Sequence, residues 1–189
     1  MKHKNLINFQ FTKKVIALAL AIAFAAQLAA FAFGKDVTRK ADNFEFVGPN
    51  NRSYELSDLL GHVVVLDFWQ SWCPACRRAL PSVEALNQEL KGKDVLFLGV
   101  DDEDRETIDN YSKALKLGFF TISDEDDRIA RAYNVSAIPY TVVIGRDGRV
   151  VDTVEGYDGN EDRVRQAVQR ALVATDSDSH ADSEISVQN

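Results

Sequence analysis

The sequence predicts an α/β fold in which a central mixed β-sheet is flanked by helices and preceded by a short β-hairpin. Three observations carry that prediction. From Val63 to Leu117, strand-like runs alternate with segments of helical periodicity, the pattern of parallel strands joined by right-handed crossovers. The run Val63–Trp69 is apolar at nearly every position and rich in β-branched and aromatic residues, as a central strand buried on both faces requires. Tyr140–Ile144 and Arg149–Val154 flank Asp147-Gly148, a tight-turn signal that makes these two strands an antiparallel hairpin.

Taken in order, the chain opens on a basic stretch, MKHKNLINFQFTKK, followed by an uncharged apolar run over 15–33. Ala30-Phe31-Ala32 has the small-x-small spacing of a signal-peptidase site, so residues 1–33 read as an export signal. A run of about 19 residues also approaches the length that spans a bilayer, so an uncleaved membrane anchor stays open beside cleavage. No cysteine stands near its end to carry a lipid. Lysines before the run and acids after it place the bulk of the chain outside the cytoplasm in both cases.

Residues 34–40 form a polar linker, and the folded domain spans 41–173. Phe44–Val47, then Gly48-Pro49-Asn50-Asn51, then Ser53–Leu56 read as two short strands around a turn. Ser57–Gly61 reads as one helical turn ended by glycine. Helical spacing runs from Pro74 to Lys91 with Gly92 behind it, and again over Glu103–Leu117, Glu125–Tyr133 and Asp162–Val173. Val95–Val100 and Phe119–Ile122 are the strands between. Residues 174–189, acidic and serine-rich, read as a disordered tail.

Composition narrows the partners. Lysine and arginine number 22 against 29 acids, and the first 33 residues hold four of the lysines and no acid, leaving 18 against 29 in the remainder. That balance argues against nucleic acid, whose phosphates need clustered positive charge. The acidic runs Asp101–Glu106 and Asp124–Asp127 sit where helices begin, so they read as caps and dipole partners before they read as calcium ligands.

The chemistry concentrates at Cys73-Pro74-Ala75-Cys76, which holds both cysteines of the chain. A strand leads into the first cysteine and a helix starts behind it. There the free backbone amides and the helix dipole favour an anion, so the thiol of Cys73 ionises well below its usual value of about 8.5. Cys73 is thus the candidate nucleophile, and Cys76, one turn further on the same side, the resolving residue. Pro74 suits the first helical turn, where a missing amide costs nothing. A permanent structural disulfide closing so small a ring would stabilise little. Zinc needs two further ligands, and the histidines are only His3, His62 and His180. A two-thiolate Cu(I) site remains chemically allowed.

The segments VVVLDFWQSWCPACRRALPSVEAL and VSAIPYTVVIGRDGRVV, with the strand and helix order around them, resemble the thioredoxin-like superfamily, in particular its exported TlpA/ResA-type thiol–disulfide oxidoreductases. The likeness covers 41–173. It implies a thioredoxin fold and a reversible Cys73–Cys76 disulfide that needs no cofactor and no metal. It also implies that Pro139 is a cis proline facing the cysteines, with Ile138 presenting its backbone to an extended substrate. Asp67 falls where thioredoxin carries a buried acid that relays the proton of the resolving cysteine. Trp72, Pro74 and Ile138 then form the substrate-facing set, while Trp69 belongs partly to the core. Arg77 and Arg78 read as a solvated helix face, and Gln70 and Ser71 as loop residues.

Two departures bear on use. Cytochrome-maturation members carry a glutamate before a Phe-Pro pair shortly after the second cysteine, and this chain has Ala79-Leu80-Pro81 there. It also lacks the histidine of the strongly oxidising relatives within Cys-x-x-C, which favours a reducing role on client protein disulfides. The electrons would then come from a membrane partner. Two other uses stay open: a peroxiredoxin-like thiol peroxidase, against which Gln70 stands where that chemistry needs Thr or Ser, and a non-catalytic module binding Cu(I) or a partner.

Overall fold

The computed structural model describes residues 39–159 and 161–185. The export signal or anchor, and most of the 34–40 linker, lie outside them. The elements are β1 (Glu45–Val47), β2 (Ser53–Glu55), β3 (Val63–Phe68), α1 (Pro74–Glu89), β4 (Val95–Asp101), α2 (Arg105–Leu115), β5 (Phe120–Ser123), α3 (Arg128–Ala132), β6 (Tyr140–Ile144), β7 (Val150–Glu155) and α4 (Asp162–Ile185). Five strands make one sheet in the order β5-β4-β3-β6-β7. β3 pairs in parallel with β4, and β4 with β5, whereas β6 runs antiparallel to both β3 and β7. The sheet is mixed because its first three strands are joined by crossovers and its last two by a hairpin.

The central place of β3 follows from its composition, since every residue of it is buried. Successive side chains of a strand point to opposite faces. Val63 and Val65 accordingly join Leu80, Val83 and Leu86 of α1, Ile108 of α2, and Val164, Ala167 and Val168 of α4. Val64, Leu66 and Phe68 join Phe44 and Phe46 of the N-terminal hairpin and Ile129 of α3. The hairpin formed by β1 and β2 is therefore a lid on the second face. Tyr133 fastens it there by donating its hydroxyl to the carbonyl of Asp42 at 2.8 Å. Burial in that position pushes the Tyr133 phenol above its ordinary range.

Several helix ends differ from the periodicity, each for a local reason. α2 starts at Arg105 because the Asp104 carboxylate accepts from the Thr107 amide at 2.9 Å, and it stops where Lys116 turns left-handed at φ 55°. α3 covers only Arg128–Ala132 of the helix expected from Glu125: Asp127 is itself left-handed at φ 53°, and both Asp124 oxygens accept from the amides of Ile129 and Ala130. Pro81 lies inside α1, where it has no amide to give the carbonyl one turn back. The β6–β7 connection is a five-residue loop closed by the Gly145 amide on the Arg149 carbonyl at 2.8 Å, with Gly148 at φ 75°. α4 continues as helix to Ile185, so the backbone of 174–185, assigned to a disordered tail on composition, is helical. No helix among the described residues is long and apolar enough to cross a membrane.

Candidate active site

β3 delivers the chain to the carboxyl end of the sheet, where Trp69 donates its amide to Val100 and the chain turns before α1. The turn is held from outside. The Glu103 carboxylate, on the loop after β4, accepts from the Ser71 amide at 2.6 Å and from the Ser71 hydroxyl at 2.7 Å. Ser71, which the sequence leaves as a plain loop residue, is thus an anchor of the cysteine loop, and Glu103 is its post.

Cys73 is the residue that caps α1, with Pro74 at the first helical position. Its Sγ accepts from the Cys76 amide at 3.1 Å, so the helix end points a free donor at the sulfur expected to become a thiolate. Cys73 and Cys76 are joined as a disulfide, their Cα atoms 5.3 Å apart. Cys76 is fully buried and Cys73 nearly so, at 4% exposure, whereas Trp72 beside them is 63% exposed. Trp69 is core, not partly so, at 1% exposure.

Across from the couple, the Ile138–Pro139 peptide bond is cis, as the resemblance implies. The Ile138 carbonyl oxygen lies 3.9 Å from Cys73 Sγ, and the Pro139 carbonyl is taken by the Gly156 amide at 2.8 Å. The β7–α4 loop begins at that bond and reaches α1 through Tyr157, whose hydroxyl lies 2.9 Å from that of Ser82.

Asp67 stands two residues after Val65 on β3, so its side chain faces the sheet surface that Val63, Val65 and both cysteines share. It is 2% exposed, and it accepts from the Thr141 hydroxyl at 3.0 Å, directly opposite on β6. Burial raises its carboxyl to about 7, the Thr141 bond opposing the rise. A second acid joins it. Glu161, half-buried ahead of α4, is raised to about 8 by burial, then by the charge of Asp67, then by that of Asp158. Glu161 is the functional candidate that sequence reasoning misses: an acid just before a helix reads as a cap, and only the closure of the β7–α4 loop brings it to Asp67.

His62 lies at the far end of β3 from the cysteines, and no group of three His, Cys, Asp or Glu residues among those described is placed to hold a metal ion. Gln70 occupies the position where peroxide chemistry needs a hydroxyl, and Arg77 and Arg78 are exposed.

Comparison with known proteins gives this arrangement a family. Residues 37–153 match the model of the AhpC/TSA family. A thiol–disulfide oxidoreductase ResA of Bacillus subtilis (strain 168) is 31% identical over 159 residues, covering 82% of this chain and 88% of its own. Among solved structures, a Chlorobium tepidum protein described as a thiol:disulfide interchange protein DsbE superposes with a TM-score of 0.67 at 27% identity, covering 74% of this chain and 99% of its own. The exposed lipoprotein thioredoxin of Streptococcus pneumoniae strain TIGR4 follows at 0.58 and 26%, covering 68% and 99%. The chain belongs to the AhpC/TSA family of thioredoxin-like proteins. It is a ResA-like thiol–disulfide oxidoreductase, and its Cys73–Cys76 pair fits a Cys-x-x-Cys redox site.

Proposed function

We propose that this protein reduces disulfides in client polypeptides outside the cytoplasm, drawing its electrons from a partner in the membrane. The observation that carries the reading is the Cys73–Cys76 pair at the start of α1, facing the cis Ile138–Pro139 bond, with Asp67 buried on the same side of the sheet.

In the dithiol form, the thiolate of Cys73 attacks one sulfur of the client disulfide. That S–S bond breaks, a mixed disulfide forms, and the departing client sulfur takes a proton. An extended client lies against the backbone of Ile138, which stands beside Cys73 Sγ, with Trp72 and Pro74 flanking the approach. Cys76 then loses its proton and attacks Cys73, forming the intramolecular disulfide and releasing the second client sulfur as a thiolate. Two electrons pass from protein to client.

Cys76 is fully buried, so its proton calls for an acceptor within the protein. Asp67, with a carboxyl near 7, is a base matched to neutral pH and is the group proposed to take it. Residues 15–33 supply either the export signal or the tether to the membrane that holds the electron donor. No resident cofactor enters the cycle.

The test is the reduction potential of the Cys73–Cys76 couple in the full chain, found by equilibration with graded thiol–disulfide buffers and followed by tryptophan fluorescence. A value around −270 mV, as in thioredoxin, supports a reductant, whereas a value near −120 mV overturns the direction in favour of an oxidant.

A further inference from the structure

Beside the couple, on the side away from Asp67, a cavity of about 320 Å³ opens to the surface. Trp72 and Ile138, whose carbonyl lies beside Cys73 Sγ, belong to its wall, and Asp101, Asp102, Asp124 and Asp127 are set among its otherwise largely apolar lining. Among the described residues, no lysine or arginine contributes to its wall. The four carboxylates are not equivalent. Asp124 spends both oxygens on the amides that begin α3, and Asp127 stands 4.0 Å from Arg131 in an exposed pair.

Asp101 is different. It is 2% exposed; its Oδ1 accepts from the Glu103 amide at 2.8 Å, but its Oδ2 has no hydrogen-bond partner among the described residues. The neighbouring Arg105 bonds the Thr121 carbonyl at 2.7 Å and the Asp109 carboxylate at 2.9 Å; its Nε has no hydrogen-bond partner among the described residues either, so its charge acts on Asp101 without a hydrogen bond to it. A carboxylate oxygen left dry and unpaired is costly unless something arrives to satisfy it. Asp102, half-exposed at the rim, adds a second carboxylate, which the Gln70 side chain and the Asp102 backbone meet by hydrogen bond.

We infer that this groove is a specificity subsite that takes the cationic side chain of a lysine or arginine next to the client's cysteine. The inference rests on the client-reducing role proposed above. Its geometry suits that occupant: a peptide laid along Ile138 with its sulfur at Cys73 carries the adjoining residues over the groove. The aliphatic stem of a long basic side chain lies along the apolar wall by Trp72 while its head reaches the carboxylates. A bare metal ion is a poorer occupant, because the carboxylates do not converge as a ligand set.

The experiment uses short peptide disulfides that differ only in carrying arginine, alanine or glutamate beside the cysteine, and follows their reduction by the full-length dithiol protein in stopped flow. Dithiothreitol acting on the same peptides corrects for the influence of arginine on the peptide sulfur's own reactivity. The corrected rate should favour arginine over alanine by at least about fivefold, put glutamate last, and lose that spread as salt rises. In Asp102→Asn, a change at the half-exposed rim, the arginine-to-alanine ratio should fall toward one. Equal corrected rates for the three peptides overturn the subsite, as does a ratio unmoved by both salt and Asp102→Asn. Failure to reduce even the alanine peptide strikes the oxidoreductase reading instead, and the subsite with it.

Discussion

Two acidic regions flank one disulfide, and the same residue type does opposite work in them. Beneath the couple, Asp67 is enclosed between β3 and β6, with the Thr141 hydroxyl as its polar neighbour, and the half-buried Glu161 acts on it from the end of the β7–α4 loop. Beside it, Asp101 is buried as deeply as Asp67 and is likewise raised to about 7 by burial, yet it lines a cavity that opens to solvent. Closure separates them. An enclosed carboxyl can exchange only a proton with its surroundings, whereas one at the wall of an open groove can meet a charged side chain.

The largest break in that comparison comes from Asp67→Asn. A carboxyl raised from 3.8 to about 7 binds its proton more tightly folded than unfolded, so it stabilises the fold at low pH relative to high pH, and the loss accumulates from about pH 4 up to pH 7. Asp67→Asn removes that loss. Chemical denaturation should show a gain of up to roughly 4 kcal/mol at pH 8, shrinking toward zero near pH 4, by the relation of 1.36 kcal/mol per unit. A variant less stable than wild type at pH 8 would contradict the enclosed, raised carboxyl.

The same substitution should trade that stability for rate. With its proton acceptor gone, Cys76 should resolve a mixed disulfide about 100-fold more slowly, while attack by Cys73 proceeds. Mass spectrometry of the quenched reaction would then find the client trapped on Cys73. In the wild type, resolution should quicken as pH rises through 7; in the variant that step should vanish. Equal resolution rates at every pH would remove Asp67 from the proton path.

The smallest effect sharpens the comparison from the other partner. Asp67 ionises before Glu161, so Glu161→Gln should leave the step near pH 7 almost in place and delete the one near pH 8. Carboxyl-stretch infrared titration resolves the two. Survival of the upper step would assign it elsewhere.

How much of this was legible in the sequence differs between the two regions. β3, the β6–β7 hairpin and the cysteine turn follow from local composition: a fully apolar run, Asp147-Gly148, and Pro74 behind Cys73. The thioredoxin fold, the cis proline and the buried acid came through the resemblance, because Ile138 and Asp67 look ordinary until long-range pairing sets Asp67 opposite Thr141. Glu103, Glu161 and Asp101 were not legible as site residues. The cap explanation is physically sound for Asp104, and nothing local distinguishes it from its neighbours. What separates them is where the loops after β4 and β7 close, and that depends on partners 32 residues distant for Glu103 and Ser71. The helical backbone of 174–185 was masked in the same way by a composition dominated by Asp and Ser.

The clamp of Glu103 on Ser71 has a consequence for modularity. Because the turn before Cys73 is moored by a carboxylate from a different crossover, the couple's setting is written in two separated parts of the chain. A graft of 68–89 into a relative with no acid at the mooring point would carry the cysteines without their pose, and a transplant meant to move this chemistry between scaffolds must bring 101–104 along.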